Sequence, residues 1–261
     1  MNLRTFGVGT FAFVAFMSSA HALVVYNSDA DSTFTLIDAA GMSVTAETGT
    51  EVPASSTSGT GTASVDADSQ TPSGLFLMTA GDSLVQSSAV SGSADAPFGS
   101  SDATVLNSAL ITLDNSLGLT DATAVFTFSY SWLAELTKTD VLLEAGHASP
   151  FFHLTGFAPS GAETLAIDTG SGPTAVSDWL VNPAIALTLG GTATSDSSSG
   201  SATVTALVTV PSGSIDSFSV VTDSSGSALH QSIPEPDIAL LLLAGAGAAS
   251  VAARRGKKAV T

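Results

Sequence analysis

Three groups of residues have the types and spacing of a chemical site. The first is Asn27-x-Asp29-x-Asp31, which places oxygen donors at alternate positions, with Asp38 eleven residues after Asn27. A calcium loop collects its ligands at such intervals and closes on a final acid. Ser32 stands where the sharp turn of that loop calls for glycine, and the flanks read as strands rather than helices. A loop calcium site and a solvated acidic surface both fit the pattern. The second group is His147 and His153, separated by a stretch containing Ser149-Pro150. If a turn brings the two imidazoles face to face, they and Glu144 could ligate zinc; otherwise they are ordinary strand residues beside a hairpin. The third is Asp178-Trp179, in a loop-like context where an indole could stack on a sugar and the carboxylate could bind its hydroxyls. The competing reading has Trp179 plugging one end of the fold, since tryptophan is usually largely buried.

No other chemistry stands out. Serine hydrolases of the strand–turn–helix type carry Gly-x-Ser-x-Gly, which is absent. Serine and aspartate are so plentiful that a Ser–His–Asp proposal would have no specificity. Glycoside hydrolysis needs two carboxylates converging across a cleft, yet aromatic residues make up only 7% of the chain, and Phe126, Phe128, Tyr130 and Trp132 read as core. The expectation is a protein that is not an enzyme and needs no cofactor, calcium being the one candidate.

The elements that would position these groups are strands. From Ala122 to Trp132, Ala122, Ala124, Phe126, Phe128, Tyr130 and Trp132 share one face, while Thr123, Thr127, Ser129 and Ser131 share the other. A period of two with one apolar and one hydroxylated face marks a half-buried strand. Val204, Ala206, Val208 and Val210 repeat the pattern, and shorter candidates lie at 34–38, 75–79, 84–90, 105–113, 141–145, 151–154, 164–168, 185–189 and 218–222. Gly-, Ser-, Thr- and Pro-rich clusters at 53–61, 91–101, 159–161, 170–173 and 194–201 read as turns. Short strands so separated predict an all-β fold, a single antiparallel β-sandwich of jelly-roll type over residues 23–222. Residues 223–233, rich in serine and glycine, read as a flexible linker.

The chain has 261 residues, 23 acidic against 6 basic side chains, a net charge of −17 and no cysteine. Absence of cysteine excludes disulfides, thiolate metal sites and a cysteine nucleophile. Such acidity excludes nucleic-acid binding through a basic patch. The cations cluster at the ends: between Leu23 and Ile233, Lys138 alone faces 21 carboxylates, a net charge of −20. A surface of that charge favours divalent cations and cationic surfaces as contacts.

At the N-terminus, Arg4 precedes an apolar run from Phe6 to Met17 and then Ser18-Ser19-Ala20-His21-Ala22. Charge, apolar stretch and the small-x-small pair Ala20/Ala22 form a secretory signal peptide over residues 1–22, with cleavage expected before Leu23. At the C-terminus, Pro234-Glu235-Pro236 precedes an uncharged, mostly apolar run from Ile238 to Ala253 and then Arg254-Arg255-Gly256-Lys257-Lys258. As a helix, 238–253 rises about 24 Å, slightly under the ~30 Å hydrocarbon core, a deficit that snorkelling arginines and local thinning cover. The basic cluster is expected to stay cytoplasmic.

This tail resembles the PEP-CTERM sorting signal of Gram-negative bacteria, over residues 234–258. It departs from the pattern in Asp237, between motif and span, and in Gly256 within the basic cluster. The resemblance implies recognition of Pro234, Glu235, Pro236, Arg254 and Arg255 by exosortase, a transpeptidase-like membrane enzyme, and removal of the tail near Pro-Glu-Pro. It also implies an inner-membrane-anchored precursor, delivery to the cell surface or extracellular matrix, and extracellular polysaccharide as a partner. Two functions are therefore expected in contest: an exported structural or interaction protein, and a calcium-dependent glycan-binding or carbohydrate-active domain.

Overall fold

A computed structural model describes residues 23–49, 52–66, 72–96, 98–139, 144–156, 164–176, 179–180, 187–189 and 194–231. The signal segment with Ala20 and Ala22, residue Asp178 and the tail with its Pro-Glu-Pro motif, apolar run and Arg254-Arg255 lie outside these residues. Among the described residues there is no helix long and apolar enough to cross a membrane; all regular structure is β. The strands are β1 (Leu23–Asp38), β2 (Ser43–Thr48), β3 (Val52–Gly59), β4 (Thr62–Asp66), β5 (Leu75–Met78), β6 (Ser83–Asp95), β7 (Gly99–Asp114) and β8 (Ala122–Lys138). They continue with β9 (Glu144–Thr155), β10 (Thr164–Asp168), β11 (Thr174–Val176), β12 (Trp179–Leu180), β13 (Leu187–Leu189), β14 (Ser195–Val210) and β15 (Ile215–His230).

The strands form two antiparallel sheets that face each other across a core, a β-sandwich. The first runs β11-β10-β14-β8-β1-β6-β4, the second β12-β9-β15-β7-β2-β5, with β13 beside β9 and β3 beside β7. Here each long strand is followed by one in the opposite sheet: β1 then β2, β6 then β7, β7 then β8, β8 then β9, β14 then β15. The sandwich expectation holds in its coarse form.

Alternation sends every second side chain inward. In β8, Ala124, Phe126 and Phe128 are fully buried, and in β14 Val204, Ala206, Val208 and Val210 are buried, as their period of two predicts. Phe34 of β1 stacks on Phe126 at 4.5 Å between centroids, and Phe218 of β15 meets both rings edge-on at 5.7 and 5.9 Å. Each such ring contributes about 1.5–3 kcal/mol by leaving water. This cluster fills one half of the sandwich. A second, smaller one around Val24, Tyr26, Val90, Val105 and Leu136 fills the other.

Between the two clusters lies a buried polar layer that ties sheet to sheet. Ser32 of β1 shares a 2.6 Å hydrogen bond with Thr222 of β15, and the Thr222 hydroxyl donates to Gln86 Oε1 of β6 at 3.0 Å. Ser224 of β15 donates to the Ser88 carbonyl at 2.9 Å, and Ser88 Oγ lies 3.2 Å from Ser224 Oγ. Ser32, Gln86, Ser88, Thr222 and Ser224 are at most 2% exposed. Below this layer Tyr26 lies across two glycines. Gly92 is its cross-strand partner on β6, Gly226 projects from the opposite sheet, and a Cβ on either would overlap the phenol ring.

Two expectations are corrected here. Residues 223–230, read as a linker, complete β15, which pairs along its whole length with β7 and over 219–230 with β9. The clusters at 53–61, 91–101 and 194–201, read as turns, are largely strand: β3, the end of β6 with the start of β7, and the first half of β14. At Ser224, Gly226 and Ala228 of β15, and at Ser88, Gly92 and Ala94 of β6, the inward positions are small, because the polar layer needs hydroxyls and Tyr26 leaves no room for a side chain, so the apolar period fades there.

The ends of the body meet at one pole. The Leu23 N–H donates to Thr139 Oγ1 at 2.8 Å, the Thr139 N–H donates to Glu144 Oε2 at 2.7 Å, and Glu144 pairs in register with His230. His230 is buried. The opposite pole carries the turns at 39–42, 79–82, 115–121 and 211–214. There Asn115 Nδ2 reaches the Thr120, Val210 and Pro211 carbonyls at 3.0–3.1 Å, fixing a tip on which Leu117 and Leu119 are 95% exposed.

Replacing Gly226 by alanine forces the added carbon into the Tyr26 ring. Overpacking of this kind costs about 1–3 kcal/mol. Urea melts should show that loss for Gly226→Ala, and the double variant with Tyr26→Leu should recover much of it.

Candidate functional site

The acidic triplet occupies a strand, not a loop. Asn27, Asp29 and Asp31 all point outward from β1, while Ser28, Ala30 and Ser32 point into the core. Same-face neighbours on a strand stand about 6.6–6.8 Å apart, too far to close on an ion whose ligands lie at about 2.3–2.6 Å. Asp38 ends the strand, far from Asn27. Among the described residues no three His, Asp or Glu side chains gather as a metal site. Asp31 accepts from Ser87 Oγ at 2.5 Å. Burial raises the Asp29 carboxyl above its ordinary value, helped by the like charges of Asp31 and Glu135. Asn27 and Glu135 border a shallow cavity of about 440 Å³ with Thr137, Ser195, Asp196 and Ser197. The arrangement is an acidic stripe.

The zinc reading fails on the same geometry. His147 and His153 share the outer face of one unbroken strand, β9, and six residues span about 20 Å. Pro150, expected at a turn, sits within that strand. Glu144 is buried and bonds Thr139. His147 Nδ1 instead lies 3.3 Å from Thr188 Oγ1 on β13.

Trp179 belongs to the packing. It pairs in register with Leu154 at the edge of the second sheet and meets Phe128 and Tyr130 edge-on at 5.5 and 5.6 Å. Tyr130 in turn stacks on Trp132 at 6.0 Å. Trp132 packs beside Gly200 of β14, where a Cβ would touch the indole, and its Nε1 donates to Ser198 Oγ at 3.2 Å. Both tryptophans therefore close one side of the sandwich, the competing reading of Trp179. Asp178 is outside the described residues. Replacing Trp179 by alanine should cost about 1–3 kcal/mol, the range for losing a partly buried aromatic contact, read as a lower urea midpoint.

A residue the sequence hid among its linker stands out instead. Asp223 lies on the outer face of β15, the strand between β7 and β9, with Leu106 and Phe151 as its cross-strand neighbours. Its Oδ1 is buried and has no hydrogen-bond partner. Burial raises its pKa to about 6, against the opposing pull of the Ser224 N–H. The only signal available was an alternation of small residues continuing past Thr222. Because the folded-state value lies above the ordinary one, this group favours folding in acid, and that contribution is lost as pH rises through about 6. Asp223→Asn should therefore stabilise the domain at pH 7.5 by about 1–2 kcal/mol, a value discounted for partial solvent screening. The gain should shrink towards zero below pH 4, as urea melts across that range will show.

Comparison with known proteins adds little. No family model and no curated protein matches this chain. Among solved structures, the secreted serine protease VesC from Vibrio cholerae aligns over 76% of this chain at 9% identity and a TM-score of 0.14. The chain spans 46% of that protein, and a likeness so slight carries no argument about fold or activity.

Proposed function

We propose that this is an exported structural or interaction protein, sorted by exosortase to the cell surface or the extracellular polysaccharide matrix. The observation that supports it best is the position of the folded body between its two expected signals. The strands reach to His230, where β15 ends four residues before Pro234. Both ends lie at one pole, so a membrane-held tail leaves the opposite pole and both outer faces open to partners. Those faces are rows of short hydroxyls, among them the bonded pairs Ser129–Thr203 and Thr123–Thr209, and suit contact rather than chemistry. A glycan-binding role is the second reading. The desolvated Asp223 on an outer face favours it, whereas Trp179 and the Asn27 stripe do not carry it.

Intact-mass and terminal-peptide mass spectrometry on protein from the native host tests the first reading. A chain beginning at Leu23 and ending near Pro234-Glu235-Pro236, recovered from envelope or medium, is the expected result. A chain that keeps residues 238–261 in the membrane would reduce sorting to tethering, and one that keeps residues 1–22 would remove export.

A further inference from the structure

We infer that the outer face of the second sheet is a binding track for a linear, amine-bearing polysaccharide, with Asp223 as the group that recognises the protonated amine. This deepens the matrix reading by naming a partner class, and its binding test is independent of where the protein is delivered.

The track follows from side-chain size. β15 runs between β9 and β7, and its outward residues around Asp223 are short: Ser219, Val221, Ser225 and Ser227. The flanking strands place longer side chains outward, Phe151 and His153 on one side and Leu106 on the other. The Phe151 and His153 rings meet edge-on at 5.8 Å, forming a wall along β9. Strands stand about 4.8 Å apart, so the walls enclose a trough roughly 10 Å wide with β15 as its floor. That shape explains how a carboxylate on an outer face comes to have a buried oxygen. Four residues along β15, about 13 Å, Ser227 borders a cavity of about 360 Å³ together with Asp102, His147 and Thr188.

Charge and hydrogen bonding select the occupant. A desolvated carboxylate oxygen without a partner gains most from a charge-assisted N⁺–H donor, and burying it against a neutral or acidic group would cost free energy. A body of net charge −20 repels acidic polymers. An extended peptide adds to a sheet by main-chain pairing at an edge, but β9, β15 and β7 have neighbours on both sides. A polysaccharide needs no edge, and the serine hydroxyls along the floor match its own.

The affinity should be bell-shaped in pH. The alkaline limb belongs to the sugar amine. The acid limb belongs to Asp223, whose carboxyl titrates at about 6. Around it β7 presents Thr104, Leu106 and Ser108, β15 itself Val221 and Ser225, and β9 Ser149, Phe151 and the titratable His153. Loss of the Asp223 charge therefore weakens binding as pH falls.

Isothermal titration of the full chain in detergent with a glucosamine hexamer, its fully N-acetylated counterpart and a lysine hexamer tests the proposal. At pH 6.5 the amine-bearing sugar should bind, the acetylated one should bind about tenfold more weakly or not at all, and Asp223→Asn should abolish the difference. Asp223→Asn is expected to fold at least as well as the parent. Ser225→Tyr, which fills the floor from outside the core, should also block binding. Equal affinity for both sugars, or unchanged affinity in Asp223→Asn, would overturn the inference. Tighter binding of the lysine hexamer would replace the polysaccharide with a basic protein partner.

Discussion

The hydrogen-bonded bridge from Ser32 through Thr222 to Gln86 is the constraint on which the sandwich depends. Apolar side chains alone would let one sheet slide over the other, since dispersion and burial are non-directional. The bridge, with Ser88 and Ser224 beside it, holds β1 and β6 over β15 in a single alignment. Apart from Gln86 its members are small, and the layer splits the core into a phenylalanine-rich half and a half organised by Tyr26. The Tyr26 ring, lying below the bridge, explains the glycines: it occupies space where Gly92 and Gly226 would otherwise carry side chains. A buried polar group without a partner costs about 1–3 kcal/mol, so these hydroxyls stabilise the fold only as a set.

This layer decides how much of the fold can be read from the sequence. Where inward positions are large and apolar, as in Phe126 and Phe128 or in Val204 to Val210, the period of two is plain and the strands follow. Where they are Ser224, Gly226 and Ala228, the same period is written in small residues and looks like a linker. The sheet architecture was therefore legible, while strand ends and strand order were not, because order depends on which distant strands share a sheet. Candidate sites suffered from the same blindness. Asn27, Asp29 and Asp31 have ligand-like spacing only if the chain curls, and an extended strand spreads them apart. Trp179 offered both a stacking and a packing reading because its partners Phe128 and Tyr130 lie far away in sequence. Asp223 was invisible as a site because its neighbours Leu106 and Phe151 come from other strands.

The acidic charge then takes on a physical sense. Among the described residues nearly all of it lies on outer faces and turns, where Asp82, for example, accepts from the Thr79 N–H and hydroxyl and is held below its ordinary value by them. Lys138, the one cation of the body, is buried near the pole where the termini meet. The outer faces thus carry carboxylates with hardly a cation among them, which favours hydration and repels other anions.

The pairing of β15 has a mechanical side. β15 is the strand from which the C-terminal segment leaves, and it is flanked on both sides by long antiparallel neighbours, β7 and β9. A pull transmitted through Gln231 runs along the axis of this strand, at right angles to its ladder of hydrogen bonds. Such a load shears many bonds at once instead of unzipping them one by one. The last strand of the body is thus the one best placed to carry tension, and force applied to its outer face would pass along it without bending the rest of the sandwich.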